Sequence, residues 1–145
     1  AVYLYPATCY FEATPVSLGR GTSLPFQVYG HPNMTGYDYS FTPKSVPGAK
    51  NPPQLNKLCH GVNLSNMSDE EIWKRGVDLS YVIDAYKNLN IGDHFFRPFF
   101  ELLVGTDYVR KMIIEGKSAE EIKSRWKGDV EKFKEQRKPY LLYQE

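Results

Sequence analysis

Residues 9–22 read CYFEATPVSLGRGT, and the amino-terminal half of the chain is organised around them. This stretch holds one acid, Glu12, and one base, Arg20, among small polar and apolar residues. Glu12 and Asp38 are the only acidic residues before Asp69, so Glu12 does not belong to a solvated run of charge. A carboxylate with apolar neighbours needs a partner to offset its desolvation. The planar guanidinium of Arg20 can supply that partner through two parallel hydrogen bonds.

Two interpretations of residues 9–22 are open. In the first, they form a strand and a glycine-containing turn, tied down by an ion pair between Glu12 and Arg20. In the second, they form a ligand site in which Arg20 meets an acidic group. Glycines flank Arg20 on both sides, so backbone or ligand can approach it closely. The candidate binding residues are Glu12, Thr14, Ser17, Arg20, Gly21 and Thr22.

The composition is that of a soluble globular protein. The chain has 145 residues, 41% of them hydrophobic and 24% charged, which predicts one domain over residues 1–145. A net charge of +1 gives no electrostatic basis for binding nucleic acid or an anionic membrane. The longest apolar runs are too short to span a bilayer. The sequence opens AVYLY without a methionine, which is typical of a fragment or a processed product.

No metal or cofactor is expected. The histidines, His31, His60 and His94, are scattered without metal-ligand spacing. The sequence contains no phosphate-binding loop, dinucleotide fingerprint or nucleophile elbow. Cys9 and Cys59 are the two cysteines, and they are either separate thiols or one disulfide. A disulfide would close a loop of about fifty residues and contribute ~4 kcal/mol.

The first half of the chain is rich in aromatic, β-branched, proline and glycine residues, which predicts short strands and ordered loops. A further strand is predicted near the carboxy terminus, after Pro139. The predicted strands cover residues 2–4, 10–11, 26–29, 39–42, 58–64 and 140–143.

The second half has helical periodicity. Ser68 to Glu71 forms a capping box, Asp78 and Thr106 are expected to cap further helices, and Ser118 to Glu121 is a second box. This last box begins a long helix whose apolar stripe is expected to face the core. Its members are Ile122, Trp126, Val130 and Phe133. The phenylalanines of residues 95–100 are expected in the core. The fold class is therefore α+β, with three to five helices in the carboxy-terminal half.

A complete active site is not expected in this chain. Hydrolysis of a glycosidic bond normally needs two carboxyl groups facing that bond. In the loop-rich half, Glu12 is one candidate and Asp38 is the only other. Ser17 has no evident histidine and acid partners, so nucleophilic catalysis has no support.

A set of residues spread over nearly the whole chain carries a family resemblance. Its members are Tyr5, Pro6, Cys9, Phe11, Glu12, Thr14, Ser17, Gly19, Arg20, Gly21, Thr22, Pro25, Phe26 and Gly30, then residues 41–43, 48–50, 59–62 and 78–81, and finally Phe99, Phe100, Gly105, Thr106, Arg110 and residues 140–143. Through these residues the sequence resembles the DUF1343 family, described as exo-acting β-N-acetylmuramidases of the NamZ type. Two departures are Ala13, where the family tends to have glycine, and Pro15, where it tends to have asparagine. Pro15 removes a backbone donor and a side-chain amide that a ligand contact at this position would use.

The resemblance implies a role within a longer polypeptide. Family members carry a larger, Rossmann-like amino-terminal domain that holds the proposed catalytic acid, so the catalytic residue is expected outside this chain. The chain resembles the smaller carboxy-terminal domain beside the cleft. The implied reaction removes a terminal N-acetylmuramic acid from peptidoglycan fragments, and the lactyl carboxylate of that sugar would suit Arg20. A periplasmic or exported location is implied by the family alone. The alternative is a non-catalytic module that binds cell-wall saccharide or only stabilises its partner domain.

Overall fold

The computed structural model describes residues 1–143, and its architecture is α+β. Three short strands lie in the first half of the chain, and five of the six α-helices of the described residues lie in the second half. The strands are β1 (Val28–His31), β2 (Tyr39–Phe41) and β3 (Cys59–Asn63). The helices are α1 (Tyr5–Thr8), α2 (Asp69–Arg75), α3 (Ser80–Leu89), α4 (Phe100–Val104), α5 (Tyr108–Ile114) and α6 (Ala119–Arg137), with 3₁₀ turns at Cys9–Ala13, Gly92–Phe95 and Lys138–Tyr140.

The sheet is antiparallel, with β3 in the centre between β1 and β2. Gly30 of β1 pairs with Gly61 of β3. A Cβ on Gly30 would lie 2.6 Å from the carbonyl oxygen of His60, and one on Gly61 would collide with the backbone of Tyr29. These glycines therefore permit a close approach that no larger residue allows. The predicted strands at residues 39–42 and 58–64 are confirmed within a residue or two.

The strand predicted at residues 26–29 begins two residues later than expected. Phe26 has φ +61°, so the backbone turns at this residue instead of extending. Its N–H donates to the carbonyl of Leu18 at 2.8 Å. The strand then continues through Gly30 and His31, two residues past its predicted end.

The strands predicted at residues 2–4 and 10–11 are wrong, because this segment is helical. Pro6 lies in the first turn of α1, where its missing N–H costs nothing. Leu4, Ala7 and Phe11 are all buried, at the i, i+3, i+7 spacing of one helix face. The 3₁₀ turn Cys9–Ala13 follows α1 directly and carries Glu12. The predicted strand at residues 140–143 is also wrong: Tyr140 ends a 3₁₀ turn, and no strand is assigned to the described residues beyond it.

The helix starts were predicted with mixed success. Ser68 and Ser118 each accept a hydrogen bond from the backbone N–H three residues later, and Ser118 completes a full capping box. Asp78 lies one residue before the N-cap of α3, yet its carboxylate accepts from the N–H of Ser80 at 2.8 Å. Thr106 is not a cap, because the N-cap of α5 is Asp107. The Thr106 hydroxyl is buried and has no hydrogen-bond partner among residues 1–143.

The main core lies between the amino-terminal helical segment, the sheet and helices α2 to α5. Phe95 and Phe100 are fully buried in it, as predicted for the phenylalanines of residues 95–100, whereas Phe99 is 38% exposed. Phe11 of the amino-terminal segment is also fully buried. The long helix α6 departs from the prediction in its second half. Ile122 is buried and Trp126 packs partly against the core, whereas Val130 and Phe133 are exposed. Cys9 and Cys59 are free thiols, which settles the alternative left open by the sequence.

Candidate functional site

A groove lies between the turn that carries Arg20 and the proline-rich loop before β3. Its volume is about 520 Å³. One wall carries Glu12 and Arg20 over the apolar side chains of Val16 and Leu18, and the other wall is formed by residues 48–53. A mixed lining with a few charged groups is what small-ligand sites usually have.

Glu12 and Arg20 form an ion pair at the edge of this groove. Arg20 Nη1 donates to Glu12 Oε1 at 3.3 Å, and the two side chains are 44% and 29% exposed. Within residues 1–143, this is the single hydrogen bond of the Arg20 side chain, so its Nε and Nη2 remain available to a ligand. The guanidinium carbon also lies 5.9 Å from the ring centre of Phe26, a cation–π distance.

Backbone geometry holds Arg20 at the rim. Gly19 and Gly21 both have positive φ, +73° and +82°. The Gly21 carbonyl accepts from the N–H of Lys44 at 2.9 Å, and a Cβ on Gly21 would collide with the Lys44 carbonyl. Ser17 pairs with Gly30 through two backbone hydrogen bonds, of 2.8 and 3.0 Å. Arg20 therefore projects from a turn that is fixed on both sides.

The other predicted binding residues serve the turn. Thr14 and Ser17 are almost fully buried. The Thr14 hydroxyl donates to the Phe11 carbonyl at 2.8 Å and accepts from the N–H of Val16 at 3.1 Å. Ser17 Oγ accepts from Gly19 N at 3.3 Å. The Thr14 and Ser17 side chains therefore hydrogen-bond within the turn and are not part of the groove lining.

Thr22 and Gly21 also have internal roles. The Thr22 hydroxyl donates to the Gly19 carbonyl at 2.7 Å and accepts from the N–H of Leu24 at 3.0 Å. Gly21 is buried against the chain around Lys44. Of the six candidate residues, Glu12 and Arg20 are therefore the two whose side chains line the groove.

Sequence reasoning missed the second wall of the groove. Lys50 and Asn51 line the same groove as Arg20, although they lie some thirty residues later in the chain. Lys50 adds a second positive charge to a lining that holds one carboxylate, Glu12, so the groove favours an anionic ligand. Gln54 Nε2 donates to the Pro15 carbonyl at 2.9 Å and joins the two walls. Pro15, which replaces the asparagine usual in the family, still accepts this hydrogen bond through its backbone carbonyl.

Glu12 lies within electrostatic range of the half-buried Cys9 thiol. Burial raises the pKa of the neighbouring Cys9 thiol, and the negative charge of Glu12 raises this pKa further. Asp38, the other candidate acid, is exposed and is not part of the groove lining.

In the described part of the chain, no three His, Cys, Asp or Glu side chains are grouped so that they could hold a metal ion. No helix of residues 1–143 is long and apolar enough to cross a membrane.

The comparison with protein families identifies the chain. The family described as the carboxy-terminal part of the exo-β-N-acetylmuramidase NamZ matches residues 3–143. The chain belongs to the NamZ family. The match includes both walls of the groove and continues through the last described residue of the chain.

Two NamZ-family relatives agree with this assignment. The peptidoglycan β-N-acetylmuramidase NamZ of Bacillus subtilis strain 168 is 32% identical over 158 residues, covering 99% of this chain and 37% of the relative. A crystal structure of a DUF1343 family protein from Bacteroides fragilis NCTC 9343 is 81% identical, with a TM-score of 0.98. That match covers 99% of this chain and 41% of the solved one. The chain thus spans about two-fifths of the length of the NamZ-type relatives that it matches.

Proposed function

We propose that residues 1–145 fold as the carboxy-terminal domain of an exo-β-N-acetylmuramidase. In this proposal the groove at Arg20 binds the terminal N-acetylmuramic acid of a peptidoglycan fragment. The full polypeptide acts in the periplasm or outside the cell, as the peptidoglycan substrate requires. Support comes from the family match over residues 3–143 and from the name of the Bacillus subtilis relative.

Arg20 is the observation that carries the substrate-binding role. N-acetylmuramic acid differs from N-acetylglucosamine by a lactyl ether that ends in a carboxylate. The free Nε and Nη2 edge of Arg20 can hold a carboxylate in two parallel hydrogen bonds. Glu12 occupies Nη1 and so fixes the direction in which that edge points. Lys50 adds a second positive charge that attracts the carboxylate, and its flexible ammonium group does not require the fixed two-bond geometry of an arginine.

The groove does not by itself supply hydrolysis. Within residues 1–143 its lining offers one carboxylate, and that carboxylate is already paired with Arg20. Hydrolysis of a glycoside usually needs two carboxyl groups. We therefore assign the catalytic acid to the amino-terminal Rossmann-like domain of the same polypeptide, with this domain completing the cleft.

The test is calorimetric titration of the full-length protein with N-acetylmuramic acid and with N-acetylglucosamine. The wild type should prefer the acid, and Arg20→Ala should lose about 1.5–3 kcal/mol of that binding, which is roughly tenfold or more in Kd. Arg75→Ala is the matched control: Arg75 is also an ion-paired arginine, 45% exposed, but it lies outside the groove. Equal binding of both sugars would assign the groove to a saccharide module without acid preference. Unchanged binding in Arg20→Ala would leave Arg20 with a structural role.

A further inference from the structure

The second half of α6 and the residues after it carry apolar side chains that nothing in the described chain covers. We call residues 126–143 the carboxy-terminal arm. Phe133 is 60% exposed, Leu142 is 90% exposed and Tyr143 is 85% exposed. Large apolar side chains grouped at the surface usually mark an interaction site.

The pattern of the arm is that of a helix meant to be covered on one side. Trp126, Val130 and Phe133 recur at i, i+4 and i+7, which places them on one face. Charged residues between them pair along the helix: Lys134 Nζ lies 3.1 Å from Glu131, and Lys138 Nζ lies 2.7 Å from Glu135. The polar side is therefore satisfied in water. On the apolar side Trp126 packs partly against the core, whereas Val130 and Phe133 are 42% and 60% exposed and are not covered by any part of residues 1–143.

A recess adjoins this face where α6 leaves the rest of the fold. Its volume is about 230 Å³, and Trp126 and Val130 form one wall. Tyr10, Val77 and Leu79 contribute to the remaining wall. A recess with such a lining can receive apolar side chains from a partner.

The relatives indicate what the partner is. The family match extends to residue 143, so the arm belongs to the NamZ domain itself. The Bacteroides fragilis structure superimposes over 99% of this chain with a TM-score of 0.98, so the arm follows the same course in that crystal. More than half of that solved chain lies outside the match. A matched part described as carboxy-terminal leaves the rest of the polypeptide on its amino-terminal side.

We propose that the carboxy-terminal arm is the docking surface for the amino-terminal part of the same polypeptide, which packs on the face of Trp126, Val130 and Phe133 and on Leu142. The inference rests on the proposed function only in taking this chain as one part of a two-part protein. It is independent of what the groove binds. By packing on both the arm and the recess, the amino-terminal part would be held in one position relative to this domain.

Thiol labelling of the full-length protein tests this docking. Val130→Cys and Leu142→Cys place a thiol on the proposed interface, and Lys132→Cys places one on the exposed polar side of the same helix. Labelling with a maleimide, followed by mass spectrometry of the arm peptides, gives the rate at each position. We expect the thiols of V130C and L142C to react at least tenfold more slowly than that of K132C. Leu142 lies beyond α6, so L142C reports even where V130C disturbs the helix.

Two results would overturn the docking proposal. One is labelling of V130C and L142C as fast as that of K132C. The other is protection that disappears on dilution, which would assign the arm to a second copy of the chain. Neither measurement uses a saccharide, so a failure here is distinct from a failure of the proposed muramidase function. Protected thiols in a protein that binds no N-acetylmuramic acid would support the docking proposal and contradict the proposed binding of that sugar in the groove.

Discussion

Arg20 lines the groove and donates a hydrogen bond from Nη1 to Glu12, eight residues earlier, while its Nε and Nη2 make no hydrogen bond within residues 1–143. The pair is half exposed to solvent, and exposed ion pairs contribute little to stability. The position is thus suited to binding more than to holding the fold. This difference can be measured.

Arg20→Ala should weaken binding of N-acetylmuramic acid while leaving stability almost unchanged. We expect the free energy of unfolding in urea to change by less than about 1 kcal/mol, because an exposed pair is lost. Urea denaturation beside calorimetric titration of the same preparation makes the comparison. A large loss of stability, matched by an equal loss in Glu12→Gln, would make the pair structural instead.

Gly21→Ala should destabilise the protein more than Gly36→Ala does. Both glycines have φ +82°, but a Cβ at Gly21 collides with the Lys44 carbonyl, whereas one at Gly36 meets open space. The φ alone costs an alanine about 1–2 kcal/mol, so Gly36→Ala measures that part and the excess in Gly21→Ala measures the collision. Urea unfolding gives both values, and equal losses would contradict the packing of the turn against residue 44.

Thr14→Val should cost stability and not saccharide preference. The change removes the acceptor of the buried Val16 N–H and the donor to the Phe11 carbonyl, at an expected cost of about 1–3 kcal/mol. The exposed Thr35, whose hydroxyl makes no hydrogen bond within residues 1–143, provides the control Thr35→Val. If Thr14→Val instead changed the ratio of affinities for the two sugars at full stability, Thr14 would be a ligand contact after all.

Stability should fall at alkaline pH because of a tyrosine pair on Asp84. The hydroxyls of Tyr29 and Tyr37 donate to Asp84 Oδ2 at 2.9 and 2.7 Å. Burial first and then the charge and hydrogen bond of Asp84 raise the pKa of both tyrosines. The folded state therefore keeps protons that unfolded tyrosines lose near pH ~10. This contribution is complete below that pH and decreases as the pH rises above it.

Tyr37→Phe checks the assignment, because it removes one of the two titrating groups. Urea unfolding from about pH 8 to about pH 11 should show a smaller alkaline loss of stability in this variant than in the wild type. Tyr39→Phe is the control, since its ring lies outside the Asp84 cluster. An identical alkaline profile in Tyr37→Phe and wild type would mean that the hydrogen bond to Asp84 does not hold the phenol proton.

Two of the four helix caps predicted from the sequence are N-caps in the structure, and these two were readable because a cap involves neighbouring residues. Ser68 and Ser118 bond to backbone groups three residues away, and that spacing is visible in the chain. The amino-terminal segment was misread because aromatic and β-branched residues suggested strands. The competing signal was the spacing of Leu4, Ala7 and Phe11 on one helix face, with a proline in the first turn.

The groove was only half predictable. Its first wall, with Glu12 and Arg20, lies within one short stretch, and two glycines beside an arginine drew attention to it. The second wall comes from a loop about thirty residues later, and Gln54 joins the walls by bonding to the Pro15 carbonyl. No local pattern indicates that Lys50 lines the same groove as Arg20, because this depends on how the turn packs against that loop.

The sequence by itself determined the α+β class, the two serine-capped helices and the family, and it offered the ion pair of Glu12 with Arg20 as one of two interpretations. All of these depend on residue types or on spacings within a turn or two of backbone. Only the tertiary structure decided that Thr14 and Ser17 are internal, that Lys50 lines the same groove as Arg20, and that Val130 and Phe133 of α6 are exposed. The reason is physical: burial is set by which distant segments pack together, and an apolar stripe looks the same whether its partner lies inside the described chain or beyond it.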